Sequence, residues 1–197
     1  MRDPIVALRL AYLIQAERLG RRRLAERIGL GEMQVRLELD ELRNRGLIRW
    51  DRTGCALTEQ GLRTFSSVLS LVRDVQSLDL HGLKLDRANL AAHLVAHASV
   101  PAAWQLRDEA IREGATGLIL LIQQNGEWTF AHNQEPLRIQ SPKDSDQLDR
   151  VFSEANPCDL ALVVAGADGT TCAQGLWRAI RAIAQSSETP DGIEKLE

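Results

Sequence analysis

Residues 22–36 read Arg22-Arg23-Leu24-Ala25-Glu26-Arg27-Ile28-Gly29-Leu30-Gly31-Glu32-Met33-Gln34-Val35-Arg36, and their spacing decides how the first third of the chain folds. Leu24, Ala25 and Ile28 fall on one side of a short helix predicted over 22–28. Gly29-Leu30-Gly31 then predicts a tight turn, because glycine takes the positive φ that other L residues avoid. A second helix is predicted over Glu32 to Asn44, with Met33, Val35, Leu39 and Leu42 as its buried positions, and Arg45-Gly46 stops it. A helix-turn-helix needs a small residue where its helices cross, which Ala25 supplies, a tight turn, and a second helix with one apolar stripe and one free face.

Working outward, Asp3 to Leu19 is apolar enough for a well-buried helix, and Gly20 ends it. On the other side, Leu47 to Trp50 and Cys55 to Leu57 predict two short strands across the turn Asp51-Arg52-Thr53-Gly54. Thr58 is a candidate N-cap for a further helix carrying Leu62, Phe65, Leu69 and Val72 at spacings of three and four. Three helices, a hairpin and a helix follow the winged-helix order. The last stripe has the rhythm of a helix–helix seam. It is expected to join two copies of the chain, the alternative being that it packs on the winged helix's own core.

Arg45-Gly46-Leu47-Ile48 and Leu57-Thr58-Glu59-Gln60-Gly61 resemble the end of the recognition helix and the wing in bacterial and archaeal winged-helix regulators. MarR-type and ArsR-type proteins are the best known of these, and the sugar-responsive glycolytic repressors have a similar module. The resemblance covers roughly residues 5–65. The whole chain also looks like archaeal predicted regulators that join this module to a C-terminal domain of unknown function, through Leu106 to Gly117 and Asp159 to Gly166. The resemblance implies a sequence-specific, DNA-binding transcriptional regulator, expected to be a homodimer on double-stranded DNA. A winged helix that docks another protein is the alternative.

Charge supports a nucleic-acid partner once the chain is divided. The net charge of −3 hides an asymmetry: residues 1–75 hold 14 arginines against 10 acids, and the remainder holds 10 bases against 17 acids. Arg21, Arg22 and Arg23 cluster at a helix N-terminus, which already attracts phosphate through its free N–H groups. Arg49 and Arg52 sit in the wing, suited to backbone phosphates or the minor groove. Base reading falls to the second helix of the motif, where Gln34 suits adenine, Arg36 guanine and Glu32 cytosine. Glu38, Asp40 and Glu41 weigh against this, since they would face phosphates poorly.

Beyond residue 73 the pattern alternates. Strands are predicted over 76–85, 90–97, 117–123, 127–132, 137–140 and 159–165, and helices over 102–113, 145–154 and 170–184. Asn125-Gly126 is a strong hairpin signal. The fold class is therefore α+β: a winged helix-turn-helix at 1–73, an α/β-sandwich-type effector or dimerisation domain with a mixed sheet at 74–186, and a flexible tail at 187–197.

Chemistry in this half is sparse. His93 and His97, four apart, and the Asp168–Thr170 turn after a buried strand are the candidate contacts for a small-molecule effector. Thr170 is equally a candidate N-cap. His81 and His132 bring the histidines to four, but no cysteine or acid stands at metal-ligand spacing beside them, so no metal site is expected. Trp104, Trp128 and Trp177 are candidates for an apolar pocket or for the core. Three cysteines without CxxC spacing predict free thiols. No nucleophile elbow or acid–base pair appears, so neither catalysis nor a cofactor is expected. No apolar run reaches membrane-spanning length, and the acid and proline in Met1-Arg2-Asp3-Pro4 do not suit a signal peptide, so a cytoplasmic protein is expected.

Overall fold

The computed structural model describes residues 2–83, 85–97 and 99–186, and the expected tail at 187–197 lies outside them. Helix α1 (Pro4–Ala16) starts where the Asp3 carboxylate accepts the N–H groups of Ile5 and Val6 at 2.9 and 3.1 Å. It is buried around most of its girth because α2, α3, α4, α8 and the second strand of the wing all pack against it.

The motif helices are α2 (Arg21–Ile28) and α3 (Glu32–Asn44), separated by Gly29 at φ +70°. Gly46, at φ +71°, turns the chain into β1 (Ile48–Asp51), which pairs antiparallel with β2 (Gly54–Leu57). The hairpin is tied to the loop between α1 and α2 by the Cys55 N–H, which donates to the Leu19 carbonyl at 3.0 Å. Helix α4 (Glu59–Leu69) is capped by Thr58, whose hydroxyl accepts from Gly61 N–H at 3.0 Å.

The remaining elements are β3 (Val72–Ser77), β4 (Ala88–Leu94), α5 (Ala103–Arg112), β5 (Gly117–Gln124), β6 (Glu127–Phe130), α6 (Leu137–Gln140), α7 (Pro142–Val151), β7 (Leu160–Gly166) and α8 (Gly169–Ser186). The strands form one sheet in the order β3-β4-β7-β5-β6. The α+β class is as expected, but the sheet is antiparallel at every pairing rather than mixed. Central β7 is buried along its whole length, which explains its unbroken apolar run.

Ala92, Leu94, Leu120, Leu162 and Val164 face α5 and α8, in an apolar cluster that continues into α1 and α4. Ala91, Leu121, Ala161 and Val163 face Leu148 of α7 and Leu137 of α6. One core therefore runs through the winged helix and one face of the sheet.

Three local expectations are corrected. Residues 137–140 form a helical turn, not a strand. The strand expected at 76–85 occupies 72–77 instead. Beyond it Leu78 and Leu80 tuck into the core on one face of the sheet, and the Asp144 carboxylate accepts the N–H groups of His81, Gly82 and Leu83 at 2.7–2.9 Å. The stripe of α4 does not face outward: Phe65 and Leu69 are buried in the molecule's own core, Val72 belongs to β3, and Leu62 alone is exposed.

Candidate nucleic-acid interface

Helix α3 buries Val35, Glu38, Leu39 and Leu42 and leaves Glu32, Met33, Gln34, Arg36 and Leu37 exposed. Met33 was expected in the core, yet it is 64% exposed. At 100° per residue it lies about 180° from Leu42, so the helical wheel carried the signal that apolar character concealed. Met33 and Leu37 form an apolar pair four residues apart beside the polar readers, the kind of surface that meets a thymine methyl. The guanidinium Nε of Arg36 lies 3.7 Å from Asp40, an exposed pair that is readily given up.

The acidic half of α3 is less hostile than its sequence implied. Glu38 turns inward, where its carboxylate accepts the Asp3 N–H at 3.2 Å and burial raises its pKa. It therefore does not face the phosphates.

Helix α2 begins at Gly20, which offers no side-chain cap, so its first N–H groups stay open beside Arg21, Arg22 and Arg23. Arg21 lies over the Trp50 ring at 5.8 Å, linking α2 to the wing. Arg22 and Arg23 both reach Glu26, at 3.2 and 3.0 Å. These exposed pairs hold that carboxylate below its ordinary range, first through the Arg23 hydrogen bond.

In the wing, Arg49 and Arg52 are exposed and have no ion-pair partner among the described residues. Arg18 hydrogen-bonds Asp51 and Thr53, and Asp51 accepts the Thr53 N–H at 2.8 Å, so the wing turn is pinned. Arg18, Arg43 and Arg45 add exposed positive charge that sequence reasoning left out.

The four effector candidates do not form one site. His93 is buried against Trp128 and Phe152, with its Nε2 2.9 Å from Asp159. His97 lies beyond the end of β4 and hydrogen-bonds the Ser99 carbonyl at 2.7 Å. Asp168, rather than Thr170, caps α8 by accepting the Thr171 N–H at 2.8 Å. Thr170 instead reaches the Gly29 carbonyl. His93 pairs with Ala161 and Ala88 with Gly166, so the two clusters sit at opposite ends of the strands, about 17 Å apart at ordinary strand rise. Trp128 and Trp177 pack in separate cores while Trp104 is 60% exposed, so they line no common pocket.

Fold and exposed face together define a DNA-binding regulator, a winged helix-turn-helix followed by an α+β domain. More narrowly, residues 8–72 match the CggR N-terminal DNA binding domain, and residues 90–183 match a domain of unknown function, DUF4443. The chain is similar in structure to the hypothetical protein PH0730 from Pyrococcus horikoshii OT3, with a TM-score of 0.72 and 22% identity over 94% of this chain and 95% of that one. At that identity the likeness is one of fold. No curated protein matches the chain. Among the described residues no helix is long and apolar enough to cross a membrane.

Proposed function

We propose that the chain is a cytoplasmic, non-enzymatic transcriptional regulator that reads a specific double-stranded DNA site as a homodimer and responds to a small molecule. The observation that carries the DNA reading is the outward face of α3. Met33, Gln34, Arg36 and Leu37 lie uncovered there, beside a wing whose Arg49 and Arg52 have no ion-pair partner among the described residues. Arg36 suits guanine and Gln34 adenine, while the arginines of α2 and the wing grip phosphate.

Selection of bound fragments from a random DNA library tests this reading. A recurring site and a steep loss of affinity with salt are expected. Without enrichment or salt dependence, the protein-docking role would take its place.

With the α4 stripe buried, the support for a dimer moves to α5. There Trp104 and Ile111, seven residues apart, project at 60% and 45% exposure. A second copy is the occupant proposed for that face. Sedimentation is expected to give a dimer that Trp104→Glu converts to a folded monomer, and a monomeric wild type at micromolar concentration overturns it.

A further inference from the structure

Between the winged helix and the C-terminal domain lies a cavity of about 820 Å³, within the roughly 300–1,000 Å³ usual for ligand sites. Its walls are α1 and α2 on one side and β3, β4 and α8 on the other. We propose that this cavity binds a small organic anion, a carboxylate or phosphate monoester on an apolar body, and that its occupancy adjusts how the helix-turn-helix sits on the C-terminal domain. The second part rests on the DNA-binding reading; the first does not.

Arg9 carries the argument. It lines the cavity, is 6% exposed, and gives one nitrogen, Nη2, to the Ile28 carbonyl at 2.6 Å. Its other terminal nitrogen, Nη1, has no hydrogen-bond partner, and no carboxylate stands within ion-pair distance among the described residues. Burial lowers its pKa to about 10 against the raising influence of Asp3, so the group is still cationic at neutral pH. A buried cation without a counter-ion is costly, and an oxyanion relieves it.

The acids around the cavity are otherwise engaged. Glu26 holds Arg22 and Arg23. Asp74 accepts from the Val75 N–H and the Gln76 amide at 2.8 and 2.9 Å. Neither neutralises Arg9.

The walls suit an apolar body. Tyr12 of α1 and Trp177 of α8 meet with ring centroids 5.1 Å apart, and Leu13, Val75, Leu90 and Ala173 complete the lining. Burial first, and then the charge of Asp74, raise the Tyr12 phenol, which stays a neutral donor.

The coupling follows from what Arg9 already holds. Ile28 ends α2, and the next residue, Gly29, is the one that Thr170 of α8 touches. An anion that draws the guanidinium toward the cavity competes with the Ile28 carbonyl. It thereby favours one placement of α2 over another, as any effector with unequal affinity for two states must.

The test uses amide-resolved NMR of the full chain titrated with benzoate, phenyl phosphate and hexanoate, with benzyl alcohol as the neutral control. The three anions are expected to shift the amides of Ile28, Gly29 and Ala173, and benzyl alcohol to leave them unmoved. Arg9→Met, which keeps the stem and removes the charge, is expected to weaken binding by about tenfold or more. Ser77→Trp places an indole in the cavity from an exposed strand position and is expected to weaken binding even if Arg9→Met fails to fold. No anion-specific shift at millimolar concentration, or unchanged binding in Ser77→Trp, overturns the site. DNA is absent from the titration, so that failure leaves the DNA reading untouched. Anion binding that leaves DNA affinity unchanged overturns the coupling alone.

Discussion

The hydroxyl of Thr170, in the first turn of α8, lies 3.4 Å from the carbonyl oxygen of Gly29, the left-handed residue between the motif helices. The turn that sets the angle between α2 and α3 is thus in contact with the C-terminal domain. A Cβ on Gly29 would meet that hydroxyl at 3.2 Å, and its φ of +70° disfavours any side chain. Gly29→Ala is expected to cost about 1–2 kcal/mol in urea unfolding. Thr170→Val, which loses only a long hydrogen bond, should cost under about 1 kcal/mol.

Phosphate gripping by α2 is tempered by Glu26. Arg22→Ala with Arg23→Ala should weaken binding to all DNA sequences alike and flatten the salt slope, because phosphate contacts carry no base information. Glu26→Gln frees both guanidiniums and removes a negative charge, so it should raise nonspecific affinity and steepen the slope. Fluorescence anisotropy over a salt series measures both.

Arg36→Ala should relax selectivity at one base position and cost roughly 1–3 kcal/mol of specific binding. Leu37→Ser is expected to relax a thymine preference nearby, by removing an apolar side chain that is 40% exposed on the same face. Site profiles from selected fragments decide, and two unchanged profiles would place base reading elsewhere.

Phe65 lies in the core, not on an interface between copies, so Phe65→Ala should destabilise the chain by about 3–5 kcal/mol with no effect on its mass in solution. Chemical denaturation and sedimentation separate the two effects.

Acid should unfold the C-terminal half through two aspartates. Burial pushes the Asp144 and Asp159 carboxyls up, but donated hydrogen bonds outweigh it and leave both below the ordinary value. For Asp144 these come from three backbone N–H groups and the Ser141 hydroxyl, and for Asp159 from two backbone N–H groups and the His93 ring. A carboxyl whose folded pKa is depressed contributes stability above its unfolded value, ~3.9, and loses it as the pH falls through the folded one. Unfolding midpoints should therefore drop below about pH 4, and Asp144→Asn or Asp159→Asn should blunt that dependence while lowering stability at neutral pH by about 2–4 kcal/mol.

Local chemistry alone determined the limits of α3, the glycine turns at Gly29 and Gly46, the Thr58 cap, and the Asn125-Gly126 hairpin, whose two residues take φ of +52° and +85°. Each depends on backbone preferences within a few residues, so the necessary information lies in the segment itself. Tertiary structure decided what each surface met. The α4 stripe has the same periodicity whether it packs on α1 and α8 or on a second copy, since an apolar side chain carries no mark of its partner. Glu38 became buried only because the chain's start folds over α3, 35 residues away in sequence, and His93 found Asp159 across 66 residues. The cavity beside Arg9 draws its walls from residues as distant as Arg9 and Trp177, and only their packing brings together an aromatic face and a guanidinium whose Nη1 has no hydrogen-bond partner among the described residues.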